Sequence, residues 1–172
     1  MDLGVAGRQQ IGYLPENPYF YDYLSGREFL ELCGRLFGLG GEVRRDRVQG
    51  LLADVGLEGA SDLHLRKYSK GMLQRIGIAQ ALINDPQLVL LDEPMTGLDP
   101  VGRLEVKRII ARLGERGKTV LFNSHILGDV AELCTRIAIM AEGRVRWQGR
   151  VTDALAESPE GLEAFFMKVV ER

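Results

Sequence analysis

Leu88-Val89-Leu90-Leu91-Asp92-Glu93-Pro94 is the stretch on which the fold turns. Four apolar residues without alternation read as a strand buried on both faces, as in a parallel sheet. The run stops in two adjacent carboxylates and a proline, so Asp92 and Glu93 are delivered to the strand's C-terminal end. In open α/β sheets that end is where ligands bind. One acid there can hold Mg²⁺ on a nucleotide, and the next can orient or deprotonate water. Taken alone, the pattern also fits a surface turn with two solvated acids.

Downstream, Asp99-Pro100 opens a helix to about Leu113: a capping acid, then proline at the first helical position. Thr119 to Phe122 reads as another buried strand, and Asn123-Ser124-His125 follows it. A histidine there could reach the edge that Asp92 and Glu93 occupy, although a lone histidine is more often a plain loop residue. Ile126 to Leu133 reads as helix, Arg136 to Met140 as strand, and Glu142-Gly143 as a hairpin turn into a strand over Arg144 to Gln148. One or two polar helices are predicted to complete the chain.

Upstream, Ser69 caps a helix to about Ile83, which Asn84-Asp85-Pro86 ends. Serine then Lys70-Gly71 at a helix start presents free N–H groups, a hydroxyl and a positive dipole end, an anion site unless it is merely a cap. Ser25-Gly26-Arg27-Glu28 is a capping box for a helix to about Phe37, and Val43 to Val55 is a second amphipathic helix. Gln10 to Leu14 is a short strand stopped by Pro15 and Pro18. Alternating strands and helices argue for an α/β layer with a mostly parallel sheet.

Composition agrees with a soluble globular chain: 172 residues, 45% hydrophobic, 27% charged, net charge -2. The mixed charges lack the basic footprint of a nucleic-acid binder. Cys33 and Cys134 read as reduced, packed thiols. No apolar run reaches the ~18 residues of a membrane span, and the N-terminus does not have the pattern of a signal peptide.

In order and spacing, the segments Tyr68-Ser69-Lys70-Gly71-Met72-Leu73-Gln74-Arg75, Leu88 to Pro94, Gly97-Leu98-Asp99 and Asn123-Ser124-His125 resemble the signature, Walker B, D-loop and switch-histidine motifs of the ABC ATPase family. The resemblance runs from about Gln10 to Gly149. It implies an incomplete P-loop NTPase-type layer with a parallel sheet and an α-helical subdomain, in one partial domain. Residues 10–24 would be the Q-loop region, 25–68 the helical subdomain, 69–149 the catalytic core and 150–172 a helical tail. It further implies that Asp92 is the Mg²⁺-associated acid and Glu93 the base or water-orienting acid. His125 would contact the γ-phosphate, and Asp99 would meet the opposite subunit. Ser69 and Gly71 would clamp the γ-phosphate of ATP held by another chain. Lys70 stands where the family's commonest signature, LSGGQ, has glycine, and its charge could still favour the ATP phosphate, while Met72 stands where it has glutamine. Glu16 replaces the usual Q-loop glutamine, and an acid can still face hydrated Mg²⁺. The implied cofactors are ATP and Mg²⁺. The implied partners are a membrane subunit and a second ABC ATPase domain, with no nucleic acid. The implied location is the cytoplasmic face of the cell membrane, reached through that membrane subunit. LPEN together with SKGMLQR is most similar to exporter ATPases with separate membrane subunits.

The family's ATP-cradling GxxxxGK[ST] loop is expected upstream of Gln10, and the nine residues there form no glycine cradle. The adenine-stacking aromatic expected still earlier is missing too. Gly117-Lys118-Thr119 copies the motif's tail, but Arg112 stands where its first glycine belongs, and the context is helix, turn, strand. It reads instead as a helix stop. The expectation is therefore an ATPase subunit that does not hydrolyse ATP alone. Its strands Thr119–Phe122 and Arg136–Met140 would each lack a ladder partner, leaving the isolated chain prone to unfold or aggregate. Two alternatives stay open: a non-hydrolysing, signature-donating or regulatory partner of a full-length ABC ATPase, and a non-functional gene fragment.

Overall fold

The computed structural model describes residues 4–171, which fold as two compact units, residues 4–123 and 124–171. The first unit is built on a three-stranded parallel sheet in the order β1-β2-β3. The strands are β1 (Ile11–Leu14), β2 (Leu88–Leu91) and β3 (Thr119–Phe122). Their register aligns Leu14 with Leu91 and Leu91 with Phe122, so all three strands end level. A short helix α1 (Gly4–Arg8), which the sequence reading did not anticipate, precedes β1.

Helices α4 (Lys70–Ala81) and α5 (Pro100–Glu115) pack on the sheet, α4 against β1 and α5 against β3. Their apolar faces bury Ile76, Ile78, Ala79, Val106 and Ile110 with Leu14, Val89 and Leu91. Each valine, leucine or isoleucine among them contributes about 1.5–3 kcal/mol of transfer free energy. Gly12 makes the closest approach possible: a Cβ there would overlap the Ala81 carbonyl oxygen and lie 3.0 Å from Pro86 Cγ. Strand β1 and the end of α4 therefore touch backbone to backbone.

The expectation that Leu88–Leu91 and Thr119–Phe122 are buried on both faces needs correction. Alternate residues of β2 are only half-buried, and in β3 Leu121 is 63% exposed. The physical reason is that one face of the sheet is packed while the other, bearing Tyr13 and Leu121, stays open, and β3 is an edge strand. An apolar open edge is an association hazard.

A helical block lies between β1 and α4. Helix α2 (Gly26–Leu36) carries the capping box in full: Glu28 N–H donates to Ser25 Oγ at 3.2 Å, and Ser25 N–H donates to Glu28 Oε2 at 2.8 Å. That backbone bond holds the Glu28 carboxyl below its ordinary pKa. Helix α3 (Gly41–Asp54) packs on α2 through Val48, Leu51 and Leu52. Its C-terminus is tied to α4 and α5 by arginines. Arg75 Nη1 donates to the Val55 carbonyl at 2.8 Å, and Arg112 Nη2 donates to the Asp54 carbonyl at 2.7 Å. Arg116 grips the Asp54 carboxylate with two bonds of 2.6 and 2.7 Å. Cations belong at this end of a helix.

The second unit holds α6 (Leu127–Leu133), β4 (Arg136–Ala141), β5 (Arg144–Arg150), α7 (Val151–Glu157) and α8 (Leu162–Val170). Strands β4 and β5 form their own antiparallel hairpin rather than extending a parallel sheet. The last helix is amphipathic rather than polar: Phe165 is buried and stacks edge-on to Trp147 at 4.9 Å. Burial pushes the Cys33 and Cys134 thiols up to about 11, and neither is disulfide-bonded. No helix among the described residues is long and apolar enough to cross a membrane.

Candidate functional site

Because the parallel strands end level, the residues just beyond them share one edge of the sheet: Pro15-Glu16 after β1, Asp92-Glu93 after β2 and Asn123 after β3. Asp92 N–H donates to the Leu14 carbonyl at 2.9 Å, which extends the ladder by one bond and fixes where Asp92 departs. Glu93 then takes φ 46°, left-handed backbone for a residue with a side chain. Such a conformation costs of order 1 kcal/mol and persists only where neighbours hold it.

Asn123 is that neighbour. Its Oδ1 accepts from Glu93 N–H at 2.9 Å while its Nδ2 donates to Asp92 Oδ1 at 2.8 Å. One amide side chain thus orients both acids. Thr96 Oγ1 donates to Glu93 Oε2 at 2.7 Å and sets the direction of that carboxylate. Neither Asn123 nor Thr96 was singled out by the sequence reading. Aligning the ends of two parallel strands would have found Asn123, since Phe122 pairs with Leu91.

The second cluster lies at two helix starts. Ser69 Oγ accepts from Met72 N–H at 3.2 Å and caps α4, which leaves its hydroxyl proton to donate elsewhere. Asp99 Oδ1 accepts from Gly102 N–H at 2.7 Å and caps α5. The two starts meet at a glycine pair: a Cβ on Gly71 would lie 3.7 Å from Gly102 Cα. Lys70 turns across to Gly97 in the turn between Glu93 and Asp99. The Ser69-Lys70-Gly71 segment and the Gly97–Asp99 turn are therefore neighbours.

Glu16 is exposed at the same sheet edge as Asp92, with no hydrogen bond or ion pair to it among the described residues. His125 is exposed in the second unit, in the turn where Ile126 N–H donates to Ser124 Oγ at 3.1 Å. The decoy Gly117-Lys118-Thr119 closes α5: Lys118 N–H donates to the Leu113 carbonyl at 3.1 Å, and its ammonium bonds Asp85 at 2.9 Å. A groove of about 450 Å³ lined by Val55, Arg75, Glu105 and Arg108 includes none of the nominated residues.

The oxygen donors at the sheet edge suit a hard divalent cation. No cluster of three or more metal-ligating side chains occurs among the described residues, so a cation there would draw most of its ligands from phosphate and water.

Residues 5–96 match the family described as ABC transporter. The chain belongs to the ABC transporter ATP-binding family. It is 53% identical over 158 residues to an ABC transporter ATP-binding protein of Synechocystis sp., covering 91% of this chain and 44% of that protein. It is 41% identical over 137 residues to the fluoroquinolones export ATP-binding protein of Mycobacterium tuberculosis, covering 80% of this chain and 44% of the relative. A solved structure of an ATP binding subunit of an ABC transporter superposes with TM-score 0.80 at 28% identity, over 95% of this chain and 70% of that one. The α/β fold with its parallel sheet is thus that of an ABC ATPase. The chain spans less than half the length of the Synechocystis relative.

Proposed function

We propose that these residues form the Mg²⁺-facing edge and the signature helix of an ATP-hydrolysing subunit that powers an ABC exporter. The observation that carries the proposal is the paired fixing of Asp92 and Glu93 by Asn123 at the ligand edge of the parallel sheet. ABC ATP-binding subunits bind ATP with Mg²⁺, dimerise and pair with membrane subunits, and this chain would do so at the cytoplasmic face of the membrane. The export direction is supported by the name of the Mycobacterium tuberculosis relative.

In this account Asp92 and Glu16 would hold Mg²⁺, Glu16 through water, and the cation would offset charge on the ATP phosphates. Glu93, its carboxylate aimed by Thr96, orients the attacking water and takes its proton. Ser69 and the N–H groups at the start of α4 donate to phosphate oxygens of ATP held by a second chain. Asp99 caps α5 and faces that chain. His125 contacts the γ-phosphate. The 172 residues contain no GxxxxGK[ST] stretch, so they do not supply the glycine cradle for ATP. The 172-residue chain alone is expected to show no ATP turnover. Turnover by the purified chain that disappears on Glu93→Gln would overturn this.

A second proposal rests on the signature segment alone: Ser69 and Gly71 stand at the start of α4, as they would in a signature donor to a partner's site. A chain that stimulates a full-length partner's turnover yet is indifferent to Glu93→Gln is a donor. One whose contribution vanishes with Glu93→Gln hydrolyses in its own site.

A further inference from the structure

We propose that Lys70 is a positioning residue for the turn that carries Glu93, acting as a strut across Gly97; its catalytic meaning rests on the role given above to Glu93. Lys70 is the first residue of α4. Its side chain lies directly over Gly97: a Cβ built there would overlap the lysine ammonium nitrogen and stand 3.2 Å from Cε and 3.8 Å from Cδ. Gly97 itself has φ 68°. A side chain at position 97 is thus disfavoured by the backbone conformation, and it would have to push the lysine tip aside.

The turn is anchored at its ends and slack in its middle. At one end, Glu93 is fixed by Asn123 and Thr96, and Met95 is buried. At the other, Asp99 caps α5. Between them Leu98 N–H reaches the Met95 carbonyl only at a long 3.4 Å. An exposed glycine there has more conformational freedom than any other residue would. The outer part of the lysine, its ammonium nitrogen with Cε behind it, occupies the space into which Gly97 would otherwise move, and the exposed tip stays hydrated. The root of the strut is stationary with respect to α5, because α4 and α5 start against each other at Gly71 and Gly102. A shift of the Lys70 side chain on that fixed root is therefore felt at Gly97. It continues from Gly97 to Thr96, whose hydroxyl holds the Glu93 carboxylate.

The strut works by the space that Cε and the tip fill over Gly97, which separates it from a lysine that acts by charge. The test is nuclear magnetic resonance of the labelled 172-residue chain. In the unmutated protein the Lys70 ε-protons are expected to show a cross-relaxation peak to the Gly97 α-protons, and its absence overturns the proposal. Lys70→Ala is expected to shift the amides of Thr96, Gly97 and Glu93 and the Glu93 carboxyl carbon, with Val89 and Leu91 unmoved. Lys70→Met keeps the stem without the charge and is expected to return those signals to their original positions. Unmoved Thr96 and Glu93 signals in Lys70→Ala, or a Lys70→Met spectrum like that of the alanine variant, would also overturn it. The Glu93→Gln turnover assay is a separate measurement: its failure removes the catalytic role of Glu93 and leaves the Lys70–Gly97 contact standing.

Discussion

Replacing Asn123 tests whether one side chain holds the acidic pair. Asn123→Ala removes two hydrogen bonds, the 2.9 Å bond from Glu93 N–H and the 2.8 Å bond to Asp92 Oδ1. A bond of this kind contributes a net ~0.5–1.5 kcal/mol, and solvent exposure places both at the low end, so the loss is about 1–2 kcal/mol. Asn123→Asp keeps an acceptor for Glu93 N–H but sets a carboxylate against Asp92. At a separation of 3–4 Å in a high-dielectric setting that repulsion adds roughly 1 kcal/mol. Facing carboxylates raise each other's pKa in the folded state. The added penalty is therefore present when both are ionised, above about pH 5, and fades as pH falls toward the ordinary carboxylate range near 4. The assay is urea unfolding followed by circular dichroism in metal-free buffer at pH 7 and pH 4.5. The expected order of stability at pH 7 is wild type, then alanine, then aspartate, with the two variants converging at the lower pH. An alanine variant within ~0.3 kcal/mol of wild type, or an aspartate variant more stable than alanine at pH 7, would refute the reasoning.

Two further outcomes are expected. Gly12→Ala should cost about 3 kcal/mol, because the new methyl meets the Ala81 backbone rather than a flexible side chain; a melt unchanged from wild type would contradict the contact. The Arg116 guanidinium holds the Asp54 carboxyl below its ordinary pKa, so that pair stabilises the fold above about pH 4 and its contribution is lost as pH falls through the lowered value. Both groups are partly exposed, so Asp54→Ala should cost only about 0.5–1 kcal/mol at pH 7 and flatten the acid limb of the stability curve, measured by denaturant titration from pH 7 to 3.

Local chemistry made much of this fold readable. The Ser25 capping box, the Asp99-Pro100 helix start and the Leu88–Leu91 strand each carry their cause within a few residues, and each forms where expected, within two residues or so at the ends. Burial was misjudged where it depends on what packs outside the strand: Thr119–Phe122 has a core strand's composition yet lies at an edge with Leu121 exposed. The hairpin of Arg136–Ala141 with Arg144–Arg150 was legible as a hairpin, but nothing local says that, among the described residues, it forms a two-stranded sheet of its own. At the site, the two acids were legible because they end an apolar run. Asn123 was not, because its partners lie about thirty residues away and only the parallel register brings them together. Lys70 was legible as a cation at a helix start, but its contact with Gly97 needed coordinates.

The central claim is that the start of α4 acts on a nucleotide held by another chain. It is tested most directly by sedimentation of this chain mixed with a full-length ABC ATPase whose own water-orienting acid has been changed to glutamine, so that bound ATP persists. A mixed dimer is expected with Mg²⁺ and ATP, absent with ADP, and lost when Gly71→Asp places a carboxylate at the start of α4. No mixed dimer with ATP, or one indifferent to both the nucleotide and Gly71→Asp, would contradict the account.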